Sequence, residues 1–226
     1  MTSDHPRSPR LLRGALAVYP SQDAGTQPTV IPFQFNPEAV KRTLASRTPP
    51  SEASDAGASQ EDANRVAGPP IETLTLAVEL DATEHLARPQ GNDAVIEHGL
   101  HGHLATLEML MYPPGAQILQ NEQLAEAGEV QVRPEELPLT LLVWGESRVV
   151  PVRITGFSIS EEAFDTNLSP IRARVDLSMQ VLTYVELQED SIGRDAYMAY
   201  QRRKEEFASD HRAGKGVERI RALLPQ

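Results

Sequence analysis

The 226-residue sequence reads as a β-rich α+β domain. Apolar and polar residues alternate through several long segments, helical spacing is confined to two, and turn residues punctuate the chain between them. About six strands with one central and one C-terminal helix account for that pattern. A chain of this length buries a core without covalent help. It contains no cysteine, which excludes disulfide scaffolds, zinc-thiolate sites, iron–sulfur clusters and cysteine nucleophiles.

Residues 11–19 and 29–35 read as two short strands around a turn at 20–28. Residues 45–70 contain no Leu, Ile, Phe, Met, Tyr or Trp. Their mix of mainly Ala, Ser, Pro, Gly, Asp and Glu with one Val66 buries too little to offset chain entropy, which predicts a flexible insertion. In 71–80, Leu74, Leu76, Val78 and Leu80 alternate with Thr73, Thr75, Ala77 and Glu79, as in a strand with one buried face. Leu100, Leu104, Leu107, Leu110 and Met111 predict a helix over 100–111 that Pro113 ends. Residues 113–136 read as an irregular segment of weak helical content.

Leu137, Leu139, Leu141 and Val143 predict another strand, followed by a tight turn at Glu146-Ser147 after Gly145. In 148–160, Val150, Val152 and Ile154 share one phase and Phe157 and Ile159 the other. The flip at Thr155-Gly156 predicts a β-bulge. The expected partner is 172–181, where Ala173, Val175, Leu177, Met179 and Val181 alternate with Arg172, Arg174, Asp176, Ser178 and Gln180. A helix over about 190–208 carries Ile192, Tyr197, Tyr200 and Phe207 on one side, with Asp190 or Ser191 as N-cap. A short helical motif from Val217 to Leu224 follows. The domain plan is one unit over 1–187, carrying the insertion 45–70, and a helical extension over 188–226.

The net charge of −11 is unevenly placed: residues 72–136 hold 12 acids against only Arg88 and Arg133. No basic stripe with interleaved aromatics appears, and an acidic surface repels phosphates, which argues against nucleic acid as a partner. No unbroken apolar run approaches the ~20 residues that cross a bilayer. Pro6 and Pro9 break the start of the chain, which has no apolar segment long enough for a secretory signal. The expectation is a soluble chain folded in a reducing cytoplasm, with no direct membrane insertion.

Chemistry-bearing motifs are few. His98, His101 and His103, with Glu97 and Glu108 nearby, could converge on zinc or nickel and would then support a metal-dependent enzyme. Gly99 and Gly102 interrupt that segment, and no HExxH spacing places two histidines on one helical face. A helix entry with polar contacts is the plainer reading. Glu161, Glu162 and Asp165 follow a strand end and precede Asn167 and Pro170, which reads as a solvated turn rather than an acid–base pair. There is no GxSxG elbow, and Gly214-Lys215-Gly216 lacks the spacing of a phosphate loop. These residues compose no catalytic site and imply no cofactor or metal. A second reading of the same β-rich pattern is a ligand-binding β-barrel working alone.

Several phrases in order resemble a family. They are Val30-Ile31-Pro32-Phe33-Gln34-Phe35-Asn36-Pro37, then Glu79-Leu80-Asp81-Ala82-Thr83, then Leu107-Glu108-Met109-Leu110-Met111-Tyr112-Pro113. Val143-Trp144-Gly145, Val149-Val150-Pro151-Val152-Arg153-Ile154 and Ser160-Glu161-Glu162-Ala163-Phe164-Asp165 continue the series. Asn167, Pro170-Ile171-Arg172-Ala173 and Val181-Leu182-Thr183-Tyr184 close it. Together, over about residues 14–187, the chain resembles the tube domain of contractile injection systems. Its relatives there are tube-initiator or tube–baseplate adaptor subunits of phage-tail-like particles.

The resemblance implies a phage tail-tube-like fold of two packed β-sheets, a barrel or sandwich with one flanking helix, six copies to a ring. It implies no enzyme activity and no cofactor. The role it implies is a structural ring joining the inner tube to the baseplate hub, with the inner tube protein, the hub or spike and other baseplate subunits as partners. Such a particle assembles in the bacterial cytoplasm and is then released or kept in the cell. Family members often continue into a LysM module; here the residues after Leu187 read as helix plus tail. On this view Arg172, Arg174, Asp176, Ser178 and Gln180 form the lumen-facing row. Arg202, Arg203 and Lys204 are partner contacts that offset the repulsion of −11 per copy.

Overall fold

A computed structural model describes residues 12–22, 25–47, 66–87, 90–113, 115–126 and 137–212. Its strands are β1 (Ala15–Tyr19), β2 (Thr29–Pro32), β3 (Val40–Ala45), β4 (Ile71–Asp81), β5 (Leu139–Val143), β6 (Val149–Phe164) and β7 (Pro170–Val181). Its helices are α1 (Thr83–Ala87), α2 (Asp93–His98), α3 (His101–Glu108), α4 (Gly115–Glu126) and α5 (Ile192–Arg212). The strands form one open antiparallel sheet in the order β2-β1-β5-β6-β7-β4-β3.

Period-2 patterning sets the register. Leu74, Leu76, Val78 and Leu80 of β4 lie opposite Met179, Leu177, Val175 and Ala173 of β7, and this row is the centre of the core. Across the β6–β7 pairing the ladder slips one residue between Ile154 and Gly156, the bulge that the phase flip predicts. Ile154 therefore faces Met179 on the core side, and Phe157 and Ile159 rejoin that side opposite Leu177 and Val175. Strand β5 departs from simple alternation: Leu139, Thr140, Leu141 and Leu142 are all buried, so both of its faces are covered.

The two edge strands, β2 and β3, are neighbours in sequence. A flat row of seven strands would be ~29 Å wide, about the whole reach of the eight residues that lead from Pro32 to Val40. The row instead bends back on itself. Gln34, in the link after β2, donates to the Asp81 carbonyl (2.7 Å) and accepts from the Asp81 amide (2.9 Å), so the link grips the end of β4.

Helices close the two ends of the bent sheet. At one end, the Leu100 amide donates to the Pro170 carbonyl (2.9 Å), and Leu100, Leu104, Leu107 and Leu110 join the core. At the other, α5 starts where the Ile192 amide donates to Gln22 and ends its packing where Lys204 meets Glu72 at the start of β4. The twelve steps between Ile192 and Lys204 rise ~18 Å. Ser191 caps this helix, its hydroxyl accepting from the Arg194 amide at 3.2 Å.

Three expectations change. The helix expected over 100–111 is the shorter α3, His101–Glu108, and a separate helix α2 precedes it, the chain turning between the two at Gly99 with φ +56°. With α1 and α4 there are five helices among the described residues, not one flanking helix and a C-terminal one. Residues 40–45, unassigned in the sequence pattern, are edge strand β3; five of its six residues are exposed, so no buried row marks it. Within the expected insertion 45–70, Ala45 pairs with Ile71, and the Arg47 Nε donates to the Pro69 carbonyl (2.9 Å). The stretch 48–65 lies outside the described residues, as do Val217–Leu224 and Gly214-Lys215-Gly216.

Candidate functional site

The three longest strands, β6, β7 and β4, carry a polar outer face. Alternation on β7 turns Ala173, Val175, Leu177, Met179 and Val181 into the core and leaves Arg172, Arg174, Asp176, Ser178 and Gln180 on the other side. The first three are exposed and the last two half-buried. The register supplies their neighbours. Asp81, Glu79, Ala77, Thr75 and Thr73 of β4 flank the row on one side, and Glu162, Ser160, Ser158, Gly156 and Arg153 of β6 on the other. Lys41 of β3, opposite Thr75, extends the face by one more strand.

Charge on this face is balanced. Lys41, Arg153, Arg172 and Arg174 stand against Glu79, Asp81, Glu162 and Asp176. Arg172 pairs with Asp81 at 3.2 Å, Arg174 with Asp176 at 3.4 Å, and Arg153 donates to Gln180 at 3.2 Å. The Asp81 carboxyl is held below its ordinary value, first by its hydrogen bonds from Thr83 and then by Arg172, with burial opposing. Between the charged ends lie small or hydroxyl-bearing groups: Thr73, Thr75, Ala77, Gly156, Ser158 and Ser178. Such a face stays hydrated, with the half-exposed Phe35 beside Glu79 and Arg174 as its apolar neighbour. Glu79 and Asp81 from β4 and Glu162 from β6 could have been found by extending each strand's polar phase; the pairing of β6 with β7 was expected, and only that of β4 with β7 required the fold.

The three basic residues of α5 separate. Arg202 and Arg203 are exposed, and Arg203 lies 3.8 Å from Glu206. Lys204 turns inward, 3.0 Å from the Glu72 carboxylate and 3.9 Å from the centre of the Tyr200 ring. Glu72 is buried and also accepts from Arg42 (2.8 Å) and from the Tyr200 hydroxyl (3.1 Å). Burial, the largest influence on its carboxyl, opposes ionisation, but Lys204 and Arg42 outweigh it and hold the group below its ordinary value. The same burial and the nearby carboxylate push the Tyr200 hydroxyl up to about 12. The strand phase already places Glu72 in the row of Leu74 and Leu76, a signal that a buried acid sits there.

The histidines do not converge. His98 is exposed 3.8 Å from Glu97, while His103 stacks on His85 of α1 with ring centres 6.1 Å apart. Burial, then the neighbouring His85, lowers the His103 pKa. Among the described residues, no group of three His, Asp or Glu side chains could hold a metal ion. His98 and His103 instead edge an apolar cavity of about 350 Å³, walled by Ile31, Phe33, Val78 and Leu80 of the sheet side and Val95 and Leu107 of α2 and α3. Among the described residues no helix is long and apolar enough to cross a membrane.

Comparison with known proteins adds one finding. The family model described as contractile injection system tube protein matches residues 12–190, which covers the whole described sheet. No curated protein gives a significant match.

Proposed function

The chain belongs to the contractile injection system tube protein family, and from that premise we propose that it forms a ring joining the inner tube to the baseplate hub. In this reading it is a structural part, without catalysis or cofactor. Six copies surround a channel, and the bent sheet serves as a two-layered barrel wall. The face carrying Arg172, Arg174, Asp176, Ser178 and Gln180 turns to the lumen. The observation that carries the reading is the balanced charge of that face on the sheet's longest strands. A hydrated, neutral wall lets a spike shaft or cargo slide, whereas a wall of one sign would hold ions and any oppositely charged passenger. The unpaired edges of β2 and β3 support ring formation, since a lone domain shields such edges. Partners are then the tube protein, the hub or spike, and other baseplate subunits, with assembly in the bacterial cytoplasm before the particle is released or kept.

The test uses the absence of native thiols. With Ser178→Cys, a bulky maleimide should react at least about tenfold more slowly in the assembled particle than in the dissociated subunit, because an enclosed channel restricts its access. Equal rates would sink the channel assignment. The apolar cavity beside α2 and α3 favours a second reading, a carrier of small apolar ligands. A monomeric mass in solution together with retained apolar ligand would support it over the ring.

A further inference from the structure

We infer that α4, with Met109, Met111 and Tyr112 just before it, is a docking arm for a protein partner whose surface is apolar at its centre and basic around it. No residue of α4 is buried. Ile118 and Leu119 are 40% and 61% exposed, and Met109, Met111 and Tyr112 are exposed by 53%, 37% and 59%. Single exposed apolar residues are ordinary; five close together in sequence, left exposed among the described residues, are of the kind that marks an interaction site. The helix itself points the same way. At twelve residues it is at the length where an isolated helix is marginal in water, so its stability must come from packing on something else.

Charge identifies the occupant. The described residues between 90 and 126 include Asp93, Glu97, Glu108, Glu122 and Glu126 and not one Lys or Arg. A surface of that sign attracts a basic rim. It repels anionic lipid headgroups and nucleic-acid phosphates, so the partner is a protein. The same acidic stretch on a second copy would repel it, so α4 does not dock on α4 of a neighbour. The thioethers of Met109 and Met111 suit an apolar centre, because unbranched side chains re-pack against varied shapes. The inference goes beyond the channel reading and stands or falls separately, since its test uses the isolated full chain.

The probe is a synthetic amphipathic helix of leucine and lysine, about sixteen residues long, with a leucine–glutamate helix of equal length as control. The basic helix should bind at least about tenfold more tightly than the acidic one. Ile118→Glu with Leu119→Glu should weaken that binding about tenfold although it adds negative charge, and Phe207→Glu on α5 should leave it unchanged. Bulk attraction predicts the opposite sign for the α4 variant, so unchanged or tighter binding there overturns the proposal. Equal losses in the α4 and α5 variants overturn it too. In the wild-type chain, peptide should slow amide exchange in α4 about tenfold and leave α5 as it was; no change in α4 would likewise refute docking.

Discussion

Gly99 and Gly102 stand three positions apart and are under opposite constraints. Gly99 holds φ +56°, and a Cβ there would come within 2.5 Å of the Pro170 carbonyl oxygen, a backbone atom that cannot swing away. Gly102 sits in α3 with open space where its Cβ would lie. Gly99→Ala should therefore cost about 2 kcal/mol or more, while Gly102→Ala should gain about 0.5–1 kcal/mol of helix propensity. Thermal unfolding of the two variants should shift in opposite directions. Glu72 carries a pH dependence of definite sign. Its folded pKa lies below the ordinary 4.5, so its contribution is full above that value and is lost as the pH falls through the lower, folded value. Glu72→Gln should destabilise by about 1–3 kcal/mol at pH 7, since it weakens hydrogen bonds to two charged partners that are themselves a third exposed. Denaturant melts of both proteins should converge as the pH drops below about 4.5; a gap that stays constant to pH 3 would show that ionisation of Glu72 contributes nothing.

At the scale of elements, the β6 bulge holds one residue that the ladder does not need. Ile154 already pairs with Met179 and Gly156 with Ser178, so Thr155 is the extra residue. Its deletion should leave Phe157 and Ile159 on the core side and the domain folded, with a melting temperature within a few degrees of the wild type. Deletion of Ser158 should be far worse, because it swings Ile159 to the polar face and slips the rest of the strand against β7. Circular dichroism melts of the two deletions separate these outcomes, and equal damage would mean the bulge is itself required. This bulge was legible beforehand because two apolar phases meet at Thr155-Gly156. Strand β3 was not, since an edge strand with one face in solvent buries too little of Val40-Lys41-Arg42-Thr43-Leu44-Ala45 to leave a pattern. Helix α4 escaped for a related reason: none of its residues is buried, and the adjacent Ile118 and Leu119 set no helical period.

Over the whole molecule, α5 joins the sheet in one core. Tyr197 and Tyr200 are buried in the same cluster as Leu74, Leu177 and Val181, and Lys204 neutralises Glu72. Ending the chain after Leu187 should expose those strand ends and leave the Glu72 carboxylate with Arg42 as its one charged partner among the described residues. The expected result is loss of cooperative unfolding; a truncated chain with an unchanged melt would make 188–226 a true appendage. The sequence by itself determined the β-rich class, the two faces of β4 and β7 and the bulge, and narrowed the cap of α5 to Asp190 or Ser191, because each is written in local period or in one residue's hydrogen-bonding chemistry. The polar row of β7 was equally legible, since alternation alone assigns its side. Only the tertiary structure decided that β4 flanks that row on its other side from β6, that Gln34 bends the strand order back onto β4, and that Lys204 turns inward while Arg202 stays exposed. Those facts depend on residues far apart in the chain, such as the 132-residue separation of Lys204 from Glu72, and no local pattern records which distant partner a side chain will meet.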